Sequence, residues 1–272
     1  MAVAFAGAPV GEARPPLLVA DRIGKTYGED GLRPSAVIGE ISFDLKPGEI
    51  VSIVGPSGCG KTTLLNLLCG LLPLSRGSVS WRGRPLSGMP DRVGYMLQKD
   101  LLLPWRTALR NVTLGLELQH GTRRDREDRA RGMLAKVGLG GFHDHYPSTL
   151  SGGMRQRVAL ARTLVTDPEV LLLDEPFAAL DFQTKLVLES DMAQLVRGEG
   201  RSLLMITHDV EEAVSLSDRV IVLSHRPSRV RSVHTIVLDT ERADMMAARE
   251  SRAFVEHVRR IWGELEVRAG DQ

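Results

Sequence analysis

The stretch IVSIVGPSGCGKTT, Ile50 to Thr63, decides how this chain is read. Its first five residues, Ile50 to Val54, are nearly all β-branched and apolar, which is the composition of a buried strand. Gly55-Pro56-Ser57-Gly58-Cys59-Gly60 follows as a glycine-rich loop, then Lys61-Thr62-Thr63. Apolar residues then recur at Leu64, Leu67, Leu68, Leu71 and Leu72, which is helical spacing, and Pro73 ends the run. Strand, loop and helix are the context in which GxxxxGK[ST] cradles phosphate. Glycines let the backbone curl so that several N–H groups converge on one anion. The helix N-terminus adds free N–H groups and a partial positive charge. Lys61 supplies a point cation for the β- and γ-phosphates, and the Thr62 hydroxyl a ligand for Mg²⁺. Cys59 reads as a small filler, since no partner base for a nucleophilic thiol is visible.

Two later stretches gain meaning beside this one. Val170 to Leu173 is a short continuous apolar run, suited to an inner strand of a parallel sheet. Asp174 and Glu175 follow it, at the carboxyl end of the strand, where open α/β sheets bind ligands. Asp174 suits the metal, directly or through water, and Glu175 suits general-base work on an attacking water. The second stretch is Leu150-Ser151-Gly152-Gly153, leading into a helix with Val158, Ala161 and Val165 on one stripe. Ser151 is an N-cap candidate, and the two glycines leave backbone N–H groups unobstructed. One nucleotide does not need two such cradles from one subunit. A dimer in which each copy offers the second cradle to the other's γ-phosphate would use both.

With GPSGCGKT, LSGG and VLLLDEP in this order, the chain resembles the ATP-binding-cassette (ABC) ATPases from about Leu17 to about Leu238. The resemblance implies an α/β fold: a P-loop NTPase (RecA-like) core with an antiparallel β subdomain and a helical subdomain at about 99–167. It implies a cassette over 17–240, preceded by a disordered tail (1–16) and followed by a C-terminal helical extension (241–272). ATP and Mg²⁺ are the implied cofactors. Tyr27, in GKTYG, matches the aromatic that stacks on adenine. Gln98, in YMLQKD, matches the glutamine that senses Mg²⁺ and couples to the transport partner. Ala179-Leu180-Asp181 matches the loop that crosses the dimer interface. His208, in MITHD after the apolar run Leu203 to Ile206, matches the switch histidine at the γ-phosphate. The resemblance thus makes Glu175 and His208 catalytic and has Thr62, Gln98 and Asp174 hold the metal. It places the nucleotide against Gly55 to Thr63 with Tyr27, Gln98, Ser151, Gly152, Gly153 and Asp181. Met154 is a departure, because many relatives carry glutamine there; Gln156 lies two places on.

Three further strings, LLPWRT at 102–107, LSGGMRQR at 150–157 and HDVEEAVSLSDRVIVLSHRPSRV at 208–230, are similar to the ATPase subunits of nitrate, sulfonate and taurine uptake systems. That similarity implies partnership with a second copy of the chain, with transmembrane permease subunits and, indirectly, with a solute-binding protein. It also implies a peripheral place on the cytoplasmic face of the inner membrane. The other kind of cassette, a non-transport ATPase acting on a macromolecular partner, is disfavoured by layout. The interval from Lys61 to Ser151 leaves no space for a long coiled-coil insert, and there is one set of motifs, not a tandem pair.

Composition agrees. Lys and Arg total 35 against 34 Asp and Glu, a net charge of +1, which argues against a nucleic-acid partner. The two cysteines, Cys59 and Cys69, read as reduced thiols. No run approaches the roughly 18 to 20 apolar residues that span a bilayer, and the N-terminal MAVAFAGAPVGEARPP lacks the basic start of a signal peptide.

Elsewhere the expectations are coarser. Leu17–Ala20, Ile41–Leu45, Ser78–Trp81 and Val93–Leu97 read as strands of an antiparallel sheet beside the nucleotide core. Residues 107–140 read as helical, with Thr122 to Arg131 as a solvated charged face. Leu101 to Arg106 is an apolar loop with Trp105 beside Arg106, a candidate groove for a short helix of a membrane subunit. Phe254, Val258, Ile261 and Trp262 follow helical spacing and are expected to pack on the chain's own domain.

Overall fold

Strand β3 (Ile50–Val54) is buried along its whole length between two parallel neighbours, β8 (Ser202–Thr207) and β9 (Arg219–Leu223). The computed structural model describes residues 15–28, 34–119, 121–178, 180–239 and 245–266. Residues 1–14 of the expected tail and Ala179 of the dimer-interface loop lie outside the described residues, as do 241–244 and 267–272 of the extension. Beyond β8 come β7 (Val170–Asp174) and β6 (Val93–Met96), both parallel. These strands are covered on both faces, which is why they are apolar without alternation. Side chains still alternate in direction. Leu171 and Leu173 join the core formed with α4 (Gly152–Leu164) and α5 (Phe182–Gly198), whereas Val170 and Leu172 join the core on α1 (Lys61–Leu68).

The rest of the sheet is mainly antiparallel. β1 (Leu18–Tyr27) pairs with β2 (Ser35–Leu45) on one side and β4 (Arg76–Trp81) on the other, and the short β5 (Arg84–Pro85) lies outside β4. β10 (Ser228–Thr235) runs antiparallel to β9 and meets β2 through Ser228 and Arg229, so all ten strands form one sheet in the order β5-β4-β1-β2-β10-β9-β3-β8-β7-β6.

Three expectations need correction. Val93–Met96 does not belong to the antiparallel sheet; it is the outer strand of the parallel one. Gly94 permits this, because a Cβ there would stand 2.8 Å from Thr163 Cγ2 of α4 and 3.0 Å from Pro168 Cγ. Second, α1 stops at Leu68, short of Leu71 and Leu72. Gly70 adopts a left-handed φ of 71°, and the N–H groups of Leu71 and Leu72 both turn back to Asn66 O, which is a glycine-terminated helix end. Leu71 is therefore exposed. Third, 107–140 is not one helix. α2 (Ala108–Thr113) and a short 3₁₀ turn at Leu114–Leu116 precede α3 (Arg123–Lys136), which starts at a Thr122–Asp125 capping box.

At the chain's end, α6 (Val210–Leu216) carries α7 (Met245–Glu250) and α8 (Arg252–Glu266). Phe254 and Ile261 are buried against Val54, Val210, Val214 and Val222, and Val258 packs on the same cluster. Trp262 does not follow them and stays 45% exposed. Arg249 of α7 reaches Glu189 of α5 at 2.7 Å, and Lys185 reaches Asp209 at 2.6 Å and Glu212 at 2.8 Å. Burial pushes the Glu212 carboxyl up to about 7, with Lys185 pulling it down. Glu189 is fully buried. Arg249→Ala is therefore expected to lower stability by about 3 kcal/mol, because removing one partner strands a buried charge. Urea denaturation checks this; a midpoint shift within error would mean that Lys185 alone satisfies Glu189.

Candidate active site

The cradle is built at the end of β3. Gly58 and Gly60 hold φ of 74° and 108°, in the left-handed region. At Gly60 glycine is needed a second time, since a Cβ would lie 2.7 Å from Val37 Cγ1 of β2. The Cys59 N–H bonds to Pro56 O at 3.2 Å and closes the curl. Gly60 is the N-cap of α1 and brings no side-chain cap, so the first-turn N–H groups face the loop without a side-chain acceptor. Lys61 is buried, and its Nζ donates to Gly55 O at 2.9 Å and Pro56 O at 3.2 Å. An ammonium beside the uncapped N–H groups of a helix start is a donor set for phosphate oxygens. Cys59 is buried and free; burial raises its thiol pKa, opposed by the nearby Lys61 and Arg226. It packs as a filler.

Three neighbouring strand ends supply the opposite wall. Asp174 closes β7 and is 2% exposed. Burial pushes its carboxyl up, a hydrogen bond from Thr62 pulls it down, and the adjacent Glu175 raises it further. Glu175 turns out of the strand with φ 47°, its N–H bonded to Ile206 O at 2.8 Å across to β8. Its Oε2 accepts from Gln98 Nε2 at 2.9 Å, just beyond β6, and lies 3.3 Å from His208 Nδ1, just beyond β8. Cradle and wall enclose a cleft of about 430 Å³, lined by Ser57, Gly58 and Gly60 to Thr63 on one side and Gln98, Glu175 and His208 on the other. Thr62, Asp174 and Gln98 offer oxygen donors, the set a small hard cation takes together with substrate phosphates and water. Among the described residues, no group of three or more His, Cys, Asp or Glu could hold a metal without such help.

The remaining expected residues lie elsewhere in the protomer. Ser151 caps α4, accepting from the Met154 N–H at 3.2 Å. A Cβ on Gly153 would lie 2.8 Å from Thr184 Cγ2 and 3.5 Å from Leu180 Cδ2, so the Ser-Gly-Gly loop abuts the start of α5. Asp181 caps that helix, and its bonds from Thr184 hold its carboxyl below the usual range. Tyr27 ends β1, 40% exposed, with Lys25 Nζ 5.2 Å from its ring centre. None of Tyr27, Ser151, Gly152, Gly153 and Asp181 lines the cleft.

One residue was noted in the sequence without a role, and one was missed. Gln156 is buried and donates to Pro176 O at 2.5 Å, tying α4 to the residue after Glu175; Met154 packs against the helical core instead. Arg226, from the turn between β9 and β10, completes the cleft lining. Its signal was a basic residue just past the strand beside the cradle strand.

The comparisons with known proteins fit this geometry. The ABC transporter family profile matches residues 38–178. An ABC transporter ATP-binding protein of Methanocaldococcus jannaschii is 42% identical, over 90% of this chain and 89% of that one. The taurine import ATP-binding protein TauB of Escherichia coli (strain K12) is 42% identical, over 77% of this chain and 81% of its own length. A dimeric, post-hydrolysis structure of the ATP-binding cassette MJ0796 bound to ADP and Pi superimposes with a TM-score of 0.72 at 30% identity, over 81% of this chain and 99% of that one. The parallel strands, the phosphate cradle and the carboxylates at their carboxyl edge are thus those of a P-loop NTPase, and the chain belongs to the ABC transporter family as an ATP-binding subunit, an ATPase.

Proposed function

We propose that this ATPase energises a membrane importer for a small solute of the nitrate, sulfonate or taurine kind, working as a pair of copies at the cytoplasmic face of the inner membrane. One observation carries the reading: the loop from Gln98 to Arg106 joins the cleft to the surface. At one end Gln98 bonds to Glu175. At the other, Leu101 and Trp105 are 52% and 71% exposed. The loop between is stiff. The buried Asn111 amide donates to the carbonyls of Leu103, Arg106 and Thr107 and accepts from the Leu103 N–H. Arg162 of α4 holds the Asp100 and Leu101 carbonyls, and Arg155 pairs with Asp100 at 3.0 Å. A push on Trp105 is therefore felt at Gln98 and along α4, which begins at Ser151.

Lys61 and the curled loop bind the phosphates; Thr62, Asp174 and Gln98 would hold Mg²⁺, which would supply positive charge against the transferred phosphoryl group. Glu175 takes the proton of the attacking water, and His208 holds the Glu175 carboxylate and the terminal phosphate in register. Ser151 to Gly153 of a second copy close over that phosphate, and Asp181 lies at the same interface. No helix among the described residues is long and apolar enough to cross a membrane, so in this reading a separate permease carries the solute. The resemblance to taurine-uptake subunits and the similarity to TauB support the solute class.

Trp105→Ala is expected to keep the basal ATPase rate and to lose about tenfold or more of the stimulation by the reconstituted permease, as a buried aromatic anchor of an interface would. ATPase assays in proteoliposomes check this. Unchanged stimulation removes the docking assignment, and absence of hydrolysis in the unaltered protein removes the whole reading.

A further inference from the structure

The turn between β9 and β10 presses on the phosphate cradle from the side away from His208. Val54 pairs with Val222 in the parallel ladder, so Leu223 lies beside Gly55, where an added Cβ would stand 3.1 Å from Leu223 Cβ. Ser224, His225 and Arg226 then run past Pro56 and share a cavity with it. The turn is closed on itself and anchored to β2. Ser224 N–H donates to Arg229 O and Arg229 N–H to Ser224 Oγ, both at 3.0 Å, while the buried Ser228 hydroxyl donates to Val37 O. Arg226 is exposed at the tip, and it lines the cleft that holds Ser57, Lys61, Glu175 and His208. Among the described residues no carboxylate pairs with it.

The charges in the cleft make this placement informative. A metal-bound nucleoside triphosphate is still anionic, and Asp174 and Glu175 add negative charge on the far wall. Lys61 is one cation, curled over Gly55 and Pro56. Guanidinium groups are suited to phosphate oxygens by their planar fork of donors and by a charge that does not titrate. The inner phosphates belong to the loop N–H groups and the start of α1. Arg226 comes to the same cleft from the β9 side, and the cleft also holds Glu175 and His208, where the ATPase reading puts the terminal phosphate.

We propose that Arg226 is a further nucleotide-binding residue of the same protomer, taking the γ-phosphate of ATP. This rests on the ATPase reading above and adds a second permanent cation to the site. The test is equilibrium titration of full-length Glu175→Gln protein with Mg·ATP and Mg·ADP, at a concentration where sedimentation finds monomers. Adding Arg226→Ala is expected to weaken ATP by about tenfold, the worth of one charge-assisted contact, and ADP by less than about twofold. Arg226→Gln should behave like Arg226→Ala, and Arg226→Lys should recover part of the loss. Loss of ATP affinity with ADP spared carries the inference. Equal losses for both nucleotides, or none, overturn it. Failure of the parent Glu175→Gln protein to bind either nucleotide would instead overturn the ATPase reading on which this one depends.

Discussion

Glu175→Gln is expected to leave ATP binding intact and to lower turnover by about 10² to 10⁴-fold, equivalent to about 3 to 5 kcal/mol of barrier. Glutamine keeps the size and shape of the side chain, so the contacts that shape the cleft survive. What it loses is a carboxylate able to accept a proton. In the proposed mechanism the wild-type side chain is held for that task by its surroundings. Its Oε2 is reached by both Gln98 and His208, from the strands on either side of β7. Its backbone sits at φ 47°, a conformation that non-glycine residues hold at a cost of about 1 to 3 kcal/mol when the surrounding structure enforces it. Here the bond from its N–H to Ile206 O does so. Equilibrium binding and phosphate release, measured on one preparation, separate the two effects. Undiminished release would refute the assignment of Glu175 as base.

Ser151→Arg carries the second large effect. Hydrolysis is expected to fall by about 10²-fold or more, the loss typical of removing a preorganised donor at an oxyanion, while each protomer still binds one nucleotide. Ser151 is exposed at the start of α4 and lies outside the cleft of its own protomer, so a bulky cation there leaves the cradle untouched. Loss of the N-cap costs about 1 kcal/mol. That is too little to unfold a 13-residue helix whose Val158, Ala161 and Leu164 are buried. The expected failure is thus in closure of the pair. Sedimentation in Mg·ATP with hydrolysis blocked should find dimers for the Glu175→Gln protein and monomers once Ser151→Arg is added. Full hydrolysis by the Ser151→Arg protein would contradict a role for this loop across the interface.

Much of the site was legible in the sequence, for a local reason. Gly58, Gly60 and Lys61 act through their own backbone and the first turn of α1, so their types and spacing describe the cradle almost completely. The same holds for Ser151 and Asp181 as helix caps, because a cap bonds within three residues of itself. The runs at Ile50–Val54 and Val170–Leu173 announced buried strands, the second of them parallel, because both their faces are covered. Val93–Met96 carries no such signal: its glycine and tyrosine break the apolar run, and what draws it into the parallel sheet is the space under α4 that Gly94 leaves open. The end of α1 was missed for a related reason. Leucine spacing continued through Leu72, and a single left-handed glycine outweighed it.

By itself, then, the chain's sequence determined the phosphate cradle, the strand that bears the carboxylates and the two helix starts with free N–H groups, since each depends on residues within one turn or one strand. Tertiary structure alone decided which distant groups share the cleft. Gln98, Glu175 and His208 meet because β6, β7 and β8 are neighbours in the sheet, and Arg226 joins them because β9 flanks β3. Strand order is set by how the sheet packs under its helices, and no spacing along one strand records it.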